Sequence, residues 1–233
     1  MSIFFQAGVL VGFLQCVYDG DYSFAELSRK GDFGLGTLNG VDGELVAVDG
    51  QFYRIDREGV ASIIPPTTCT PFAVVTRFQP ASSFVIQDVP SMAALNALLD
   101  SHLKTTNIFY MIRIDGTLEW VKLRSEDCQP RPFKPLAETL PNLQTTFELK
   151  NSTGTLVVTR CPKYSAAFTI PGYHYHYIDD DRTTGGHVFD LKVKSAQVTL
   201  NPIREFTMAL CDTEAFDNAN LEVDIDAAIK KIE

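Results

Sequence analysis

The chain has 233 residues, a length that fits one large domain or two tightly packed ones. Hydrophobic residues make up 45% of it and charged residues 21%, which excludes disordered, collagen-like and coiled-coil proteins. Its formal net charge of −9 gives nucleic acid phosphates and anionic lipid surfaces no general attraction. We therefore expect neither nucleic acid nor a membrane as a partner.

The cysteine count also bounds the protein's environment. Five cysteines are an odd number, and no two of them form a CxxC pair, so neither a disulfide framework nor a thiolate zinc site is predicted. A reducing, cytoplasmic location is the expectation. The five are Cys16, Cys69, Cys128, Cys161 and Cys211.

The apolar N-terminal segment predicts a buried helix, because Leu10, Phe13, Leu14 and Val17 follow helical spacing. The first basic residue is Arg29, so the basic region of a signal peptide is missing and no export is expected. A membrane helix would need about 20 apolar residues, and this run is interrupted by glutamines. A membrane span is therefore not predicted here.

The next segments predict short helices and strands. The sequence SFAE has the capping-box pattern and Gly31 suits a helix end, which together predict a helix over residues 23–30. Alternating apolar residues around Asp49-Gly50 and around Asp115-Gly116 predict two hairpins with tight turns. Between them we expect strands at PFAVVTRF and SFVIQDV and a helix near SMAALNALLDSHL.

Residues 125–142, rich in proline and charge, predict a linker or long connection. Further strands are expected at TGTLVVT, FTIPGYHYHYI, HVFDLKV and AQVTL, and a final helix at LEVDIDAAIKKIE. The predicted class is therefore α/β of an α+β-like kind, with strand-dominated sheets in two tightly packed parts and a few short helices. The parts are assigned to residues 1–145 and 146–233, with one compact unit as the alternative.

Three of the four histidines lie within fourteen residues, in GYHYHYIDDDRTTGGHVFDLKV. On a strand, His174 and His176 point to the same face about 6–7 Å apart. The turn-rich loop after them allows an antiparallel return that brings His187 beside the pair. Three imidazoles with an open fourth position are typical of catalytic zinc, although other transition metals also bind imidazole.

The alternative for this segment is an exposed hairpin whose histidines and tyrosines are ordinary polar surface. The fourth histidine, His102, lies on a predicted helix and is interpreted as a surface residue.

Four sequence blocks resemble the acetolactate decarboxylase family, in order and over nearly the whole chain. They are YDGDYSFAELSRKGDFGLGTLNGVDGELVAVDGQFY, IRIDGTLEWVKLRS, GTLVVTRCP and PGYHYHYIDDDRTTGGHVFDLKV. The resemblance implies a carboxy-lyase that converts 2-acetolactate to acetoin and carbon dioxide through a metal-bound enediolate. It implies a zinc ion held by His174, His176 and His187, and no organic cofactor.

The resemblance also implies catalytic roles for Thr37, Glu44 and Arg124, and for a C-terminal glutamate that corresponds to Glu233. Glu222 competes with Glu233 for the last role. Arg124 would pair with the substrate carboxylate or with the developing negative charge, and Arg113 is its rival. Glu44 would orient the substrate, hold a water or relay the proton.

Two other functions remain open at this point. One is a cupin-like oxygenase with two histidines and one carboxylate, in which Asp180 or Asp181 supplies the carboxylate. The other is a protein that binds a metal or a small molecule without turnover. A homodimer is compatible with the sequence, but no interface can be read from it.

Overall fold

Strands dominate the computed structural model, which describes residues 2–222. In chain order the strands are β1 (Ile3–Ala7), β2 (Tyr22–Ser23), β3 (Phe33–Thr37), β4 (Glu44–Val48), β5 (Gln51–Ile55), β6 (Ala61–Ile63), β7 (Cys69–Thr70), β8 (Ala73–Thr76), β9 (Ser82–Val89), β10 (Phe109–Glu126), β11 (Gln144–Cys161), β12 (Gly172–Asp179), β13 (Gly185–Ile203) and β14 (Glu205–Ala209). The helices are α1 (Leu10–Leu14), α2 (Phe24–Lys30), α3 (Met92–His102), α4 (Leu136–Leu143) and α5 (Glu214–Asp217). The predicted fold class, strand-dominated with a few short helices, is confirmed.

The strands form two large sheets. The first has seven strands in the order β14-β1-β8-β3-β4-β5-β6, and its β1 pairs in parallel with β14. The second has the order β10-β11-β12-β13-β9, and β10 also pairs with β13. Strands β10 to β13 therefore close into a ring, and β9 extends the sheet from the far part of β13.

The two sheets pack against each other through a shared apolar core. From the first sheet, Phe4, Phe33 and Val46 contribute to it, and from the second sheet Met111 and Ile178. A second core lies within the ring and beneath α3, and a third covers the outer face of the first sheet beneath α2. This packing brings β4 against β12 and β13, where two of the predicted site segments meet.

Helix α2 and the β4–β5 hairpin are formed as predicted. Oγ of Ser23 accepts a hydrogen bond from the backbone N–H of Glu26 at 3.3 Å, and Oε2 of Glu26 accepts one from the N–H of Ser23 at 3.0 Å. These reciprocal bonds satisfy two backbone donors at the helix start, which is the capping box read from the sequence. The hairpin turns at Asp49 and Gly50, both of which have positive φ.

The hairpin predicted at Asp115-Gly116 is wrong. Both residues continue β10, which runs without a turn and pairs with β11 on one side and β13 on the other. A Cβ at Gly116 would lie 2.3 Å from the carbonyl oxygen of Ser195. The glycine is required by the close approach of β13 at an irregular register, and such an approach leaves the same local sequence signal as a turn.

Three further boundaries differ from the prediction. The N-terminal segment forms β1 before the short helix α1, because its first residues pair with β8 and β14. The predicted connection over 125–142 contains most of α4. HVFDLKV and AQVTL belong to one long strand, β13. The predicted C-terminal helix lies almost entirely outside the described residues.

The two sheets do not follow the predicted division at residues 145 and 146. Strands β9 and β10 pair with β11 and β13 from the second part, and β14 from the second part pairs with β1. The division into two domains and the single compact unit that the sequence left open both stay predictions.

Candidate metal centre and active site

Strands β12 and β13 bring the three predicted histidines together. His174 and His176 lie two residues apart on one face of β12, and His176 is directly opposite His187 in the antiparallel register. The loop between them therefore returns the chain as predicted. The alternative of an exposed hairpin is wrong, because His174, His176 and His187 are 7%, 0% and 5% exposed.

The imidazole nitrogens converge on one point. One ligand atom from each histidine lies within 4.8 Å of the others, and Nε2 of His174 is 3.1 Å from Nδ1 of His187. Nδ1 of His176 is 2.7 Å from the carbonyl oxygen of Leu45 on β4, so this nitrogen donates its hydrogen to that carbonyl. The donation leaves Nε2 of His176 as a lone-pair donor facing the cluster.

All three histidines are held neutral. Burial lowers the pKa of His174 well below its usual value, and the nearby His176 and Arg124 lower it further. Burial likewise lowers the pKa of His176 to about 4. The pKa of His187 is also lowered well below its usual value by burial, Arg124 and the other two histidines. Neutral imidazole is the form that binds a metal ion.

Glu44 and Arg124 lie beside the histidines. Oε2 of Glu44 is 3.2 Å from Nε2 of His176, and its Oε1 is 3.7 Å from Nε of Arg124. Arg124 is opposite His187 in the pairing of β10 with β13, and its guanidinium packs over the ring of Phe189 at 5.1 Å. Glu44 begins β4 and is 5% exposed. One strand from each sheet thus brings an acidic or a basic side chain to the same site.

Thr37 ends β3, directly opposite Glu44 in the pairing of β3 with β4. Its hydroxyl donates a hydrogen bond to the carbonyl oxygen of Gly43 at 2.7 Å, and it is 5% exposed. The structure therefore brings Thr37, Glu44, Arg124 and the three histidines into one neighbourhood.

A small cavity opens onto this cluster. Its polar floor includes Thr37, Glu44, Arg124, His174 and His187. Its apolar walls come from α1, α4 and nearby loops, and are formed by Leu10, Phe13, Val41, Phe72, Leu136, Leu140 and Ile170. An apolar cavity with a few convergent polar groups is typical of a small-molecule site.

Sequence reasoning missed Glu126 and the apolar walls. Glu126 lines the cavity, is 3% exposed and lies two residues beyond Arg124 on β10. Alternation along a strand would have placed it on the same face as Arg124. The wall residues carried no comparable signal, since helices α1 and α4 approach one another only in the folded chain.

The other residues that the sequence analysis considered do not join the histidine cluster in the described part of the chain. Arg113 pairs with Asp49 and Asp115, with Nε 2.7 Å from Oδ2 of Asp115. His102 ends α3 as an exposed residue stacked on Phe84, which confirms its surface interpretation. Glu222 is exposed, and Glu233 lies outside the described residues.

The carboxylates proposed for a cupin-like site do not join the histidines. Asp180 and Asp181 lie in the exposed turn after β12, and the candidate metal-binding group within residues 2–222 consists of histidines alone. The two-histidine, one-carboxylate arrangement is therefore not formed by these acids.

All five cysteines are free thiols in this structure. None of the helices in the described part of the chain is both long enough and apolar enough to span a membrane.

The histidine cluster fits a metal ion. Nε2 of His176 is buried and makes no well-aligned hydrogen bond to any group in residues 2–222. A zinc–nitrogen bond of ~2.0–2.1 Å would satisfy this nitrogen and its two neighbours together. The fold and the site thus define a strand-dominated protein with a buried three-histidine centre and a small-molecule cavity.

Comparison with known proteins gives the family. The family model for "Alpha-acetolactate decarboxylase" matches residues 4–223 of this chain. The alpha-acetolactate decarboxylase of Methylococcus capsulatus is 38% identical over 98% of this chain and 88% of its own length. That of Methanosarcina mazei is 36% identical over 100% of this chain and 80% of its own length.

The crystal structure of alpha-acetolactate decarboxylase from Bacillus subtilis strain 168 superposes with a TM-score of 0.96. It is 35% identical in sequence, and the match covers 99% of each chain. The chain belongs to the alpha-acetolactate decarboxylase family, which confirms the resemblance seen in the sequence and the predicted class of enzyme, a carboxy-lyase.

Proposed function

We propose that this chain converts 2-acetolactate to acetoin and carbon dioxide at the cavity above the histidine cluster, with a zinc ion bound there. One observation carries the proposal. Three buried neutral imidazoles converge beside Arg124 and the buried Glu44, and both of these side chains border one small cavity together with His174 and His187. Family membership supports the reaction, and the geometry supports the place.

Zinc is the proposed metal because the donors are three neutral nitrogens without a cysteine, a set typical of catalytic zinc. His174, His176 and His187 would hold it. When bound, a divalent cation supplies Lewis-acid stabilisation of negative charge that develops on the substrate's ketone oxygen.

Arg124 binds the substrate by its charge. A planar guanidinium presents paired donors to a carboxylate, and its pairing is strong where water is excluded. Arg124 is therefore placed to hold the carboxylate of 2-acetolactate before bond cleavage and to offset the negative charge left afterwards. Because arginine stays protonated, this role does not depend on pH in the ordinary range.

Glu44 and Thr37 act on the substrate's oxygens and on the proton. Loss of carbon dioxide leaves an electron pair on the adjacent carbon, and that carbon must receive a proton. Glu44 lies between His176 and Arg124 and is the proposed group that orients the substrate and relays the proton. Thr37 lines the cavity, where its hydroxyl is the proposed hydrogen-bonding group for a substrate oxygen. The role of Glu233 stays a prediction.

The free thiols support a reducing, cytoplasmic location. The homodimer stays a prediction.

The test combines elemental analysis of the purified protein with a carbon dioxide release assay on racemic 2-acetolactate, before and after treatment with a strong chelator. The proposal expects about one zinc per chain and release that stops with the chelator and returns with added zinc. Release that persists without any metal contradicts the zinc centre. Metal without release contradicts the proposed reaction.

A further inference from the structure

Glu126 is a buried acid that the proposed reaction leaves without a role. It is the last residue of β10, two positions beyond Arg124, and it lines the cavity. Only 3% of it is exposed. A buried carboxylate is costly unless it is paired or hydrogen-bonded, so its surroundings determine its charge.

The carboxyl groups of Glu126 and Glu44 interact directly through their side chains. Arg124, on the same strand, is the nearby positive group, and Asp42, before β4, adds a further negative one. From β11, the residue opposite Glu126 is the neutral Gln144. Asp42 is itself paired with Arg54, so Arg124 faces two carboxyl groups, those of Glu44 and Glu126, and ionisation of both would leave excess negative charge beside it.

Oε2 of Glu126 is buried and has no hydrogen-bond partner within residues 2–222. A carboxylate oxygen without a bond is a poor state for an anion in the interior. If Glu126 is neutral, its carbonyl oxygen can occupy this buried position at a lower desolvation cost, and its O–H can donate a hydrogen bond to a neighbouring group. An ionised carboxylate is the strongest acceptor for such a bond.

We propose that Glu126 acts as a neutral hydrogen-bond donor that positions Glu44, donating its O–H to the Glu44 carboxylate. The inference rests on the proposed role of Glu44 in the decarboxylation. With this bond in place, Glu44 is held beside His176 and Arg124, and the pair carries a single negative charge opposite the single positive charge of Arg124. Glu126 itself touches neither substrate nor metal in this role, so it is a positioning residue.

The direction of titration agrees with this role. Burial raises the pKa of Glu126 to about 7, and Arg124 and the hydrogen bond with Glu44 oppose the rise only in part. The acid is therefore neutral below that value and ionised above it. Because the ionised form cannot donate, the positioning bond is lost as the pH rises through about 7, and two like charges then repel across the site.

The test compares Glu126→Gln with Glu126→Leu. Glutamine keeps a neutral donor and cannot ionise, whereas leucine keeps only the bulk. We expect kcat at pH 6 to fall by at most about threefold in Glu126→Gln and by about tenfold to hundredfold in Glu126→Leu, since a hydrogen bond to a charged group is lost. We also expect a fall in wild-type kcat near pH 7 that Glu126→Gln removes.

Metal content should match the wild type in both variants, because Glu126 is not a ligand. Glu119→Gln, an exposed site on the same strand, is the matched control and should leave both kcat and its pH profile unchanged. Equal losses in the glutamine and leucine variants would show that a negative charge is needed and would overturn the proposal. An alkaline fall that persists in Glu126→Gln would overturn it as well.

A second readout needs no turnover. Infrared difference spectra between about pH 5 and about pH 9 detect the carbonyl band of a protonated carboxyl group. The wild-type protein should show such a band that disappears near pH 7, and Glu126→Gln should lack it. If this band is present but no carbon dioxide is released from 2-acetolactate, the proposed function fails while the protonation of Glu126 stands. If wild-type release occurs without the band, the inference alone fails.

Discussion

The carbonyl oxygen of Leu45 determines which nitrogen of His176 faces the other two histidines. The HxH spacing is local, and it was sufficient to predict that His174 and His176 share a face. The hydrogen bond from Nδ1 of His176 joins residues 131 positions apart, so no local pattern could predict it. The shared face of the two histidines was thus predictable from sequence, whereas the fixed tautomer of His176 was not.

Replacing His176 with alanine removes one of the three proposed ligands, and a site with two imidazoles binds zinc weakly. We expect His176→Ala to lose both metal and carbon dioxide release, measured by elemental analysis and by the decarboxylation assay. His102→Ala, at the end of α3, is the control and should keep both. Unchanged metal content in His176→Ala would refute its assignment as a ligand.

Arg124 tests charge stabilisation separately from metal binding. Removing a group that stabilises developing charge lowers kcat by about 10²–10³-fold, so we expect Arg124→Ala to keep its metal and lose rate to that extent. Arg113→Ala removes a guanidinium that is bonded to Asp49 and Asp115 and should retain most of the rate. Comparable rates for Arg124→Ala and the wild type would exclude Arg124 from the reaction.

Among the elements, β10 is the one where the local sequence pattern gave a wrong prediction, a hairpin at Asp115-Gly116. Asp-Gly between alternating apolar residues is a strong hairpin signal, yet at 115–116 the strand continues and carries Arg124 and Glu126 into the site. The difference between a turn and a strand at this point depends on β13, whose backbone approaches Gly116 closely. The backbone conformation at 115–116 thus depends on β13, a strand much later in the chain.

A methyl group at position 116 should therefore destabilise the fold. Its Cβ would collide with the Ser195 carbonyl, an atom of the backbone that cannot turn away. We expect Gly116→Ala to lower the free energy of unfolding by about 1–3 kcal/mol, measured by urea denaturation. Thr117→Ala, at the next position, is the control and should cost less. Equal stability of Gly116→Ala and the wild type would mean that β10 and β13 separate there at no cost.

Helix α4 shows the opposite error. Residues 125–142 are rich in proline and charge, and that composition predicted a connection. The structure instead has a short helix in this segment, and its Leu136 and Leu140 line the cavity. Their partners on α1 are more than 100 residues earlier in the chain. Two leucines one helical turn apart are too weak a periodic signal to outweigh the surrounding prolines.

At the scale of the whole molecule, the bound metal should contribute to stability. A ligand that binds the folded chain but not the unfolded one stabilises the fold in proportion to the logarithm of its concentration over Kd. We expect the chelated protein to show a lower Tm than the protein with zinc, and the addition of zinc to restore it, measured by differential scanning calorimetry. His176→Ala should show the lower Tm with or without zinc. An identical Tm in both states of the wild type would mean that the cluster does not bind zinc when folded.

The sequence by itself determined the features that depend on neighbours a few residues apart: the HxH pair, the turn that returns the chain to His187, and the capping box at Ser23. Each is governed by the period of a strand or by bonds within one helical turn. Only the tertiary structure decided that β10 passes straight through Gly116, that Glu44 lies against His176, and that Glu126 joins Glu44. These depend on strands far apart in the chain packing into two sheets, and the free energy of that packing is shared among many residues and is not carried by any local pattern.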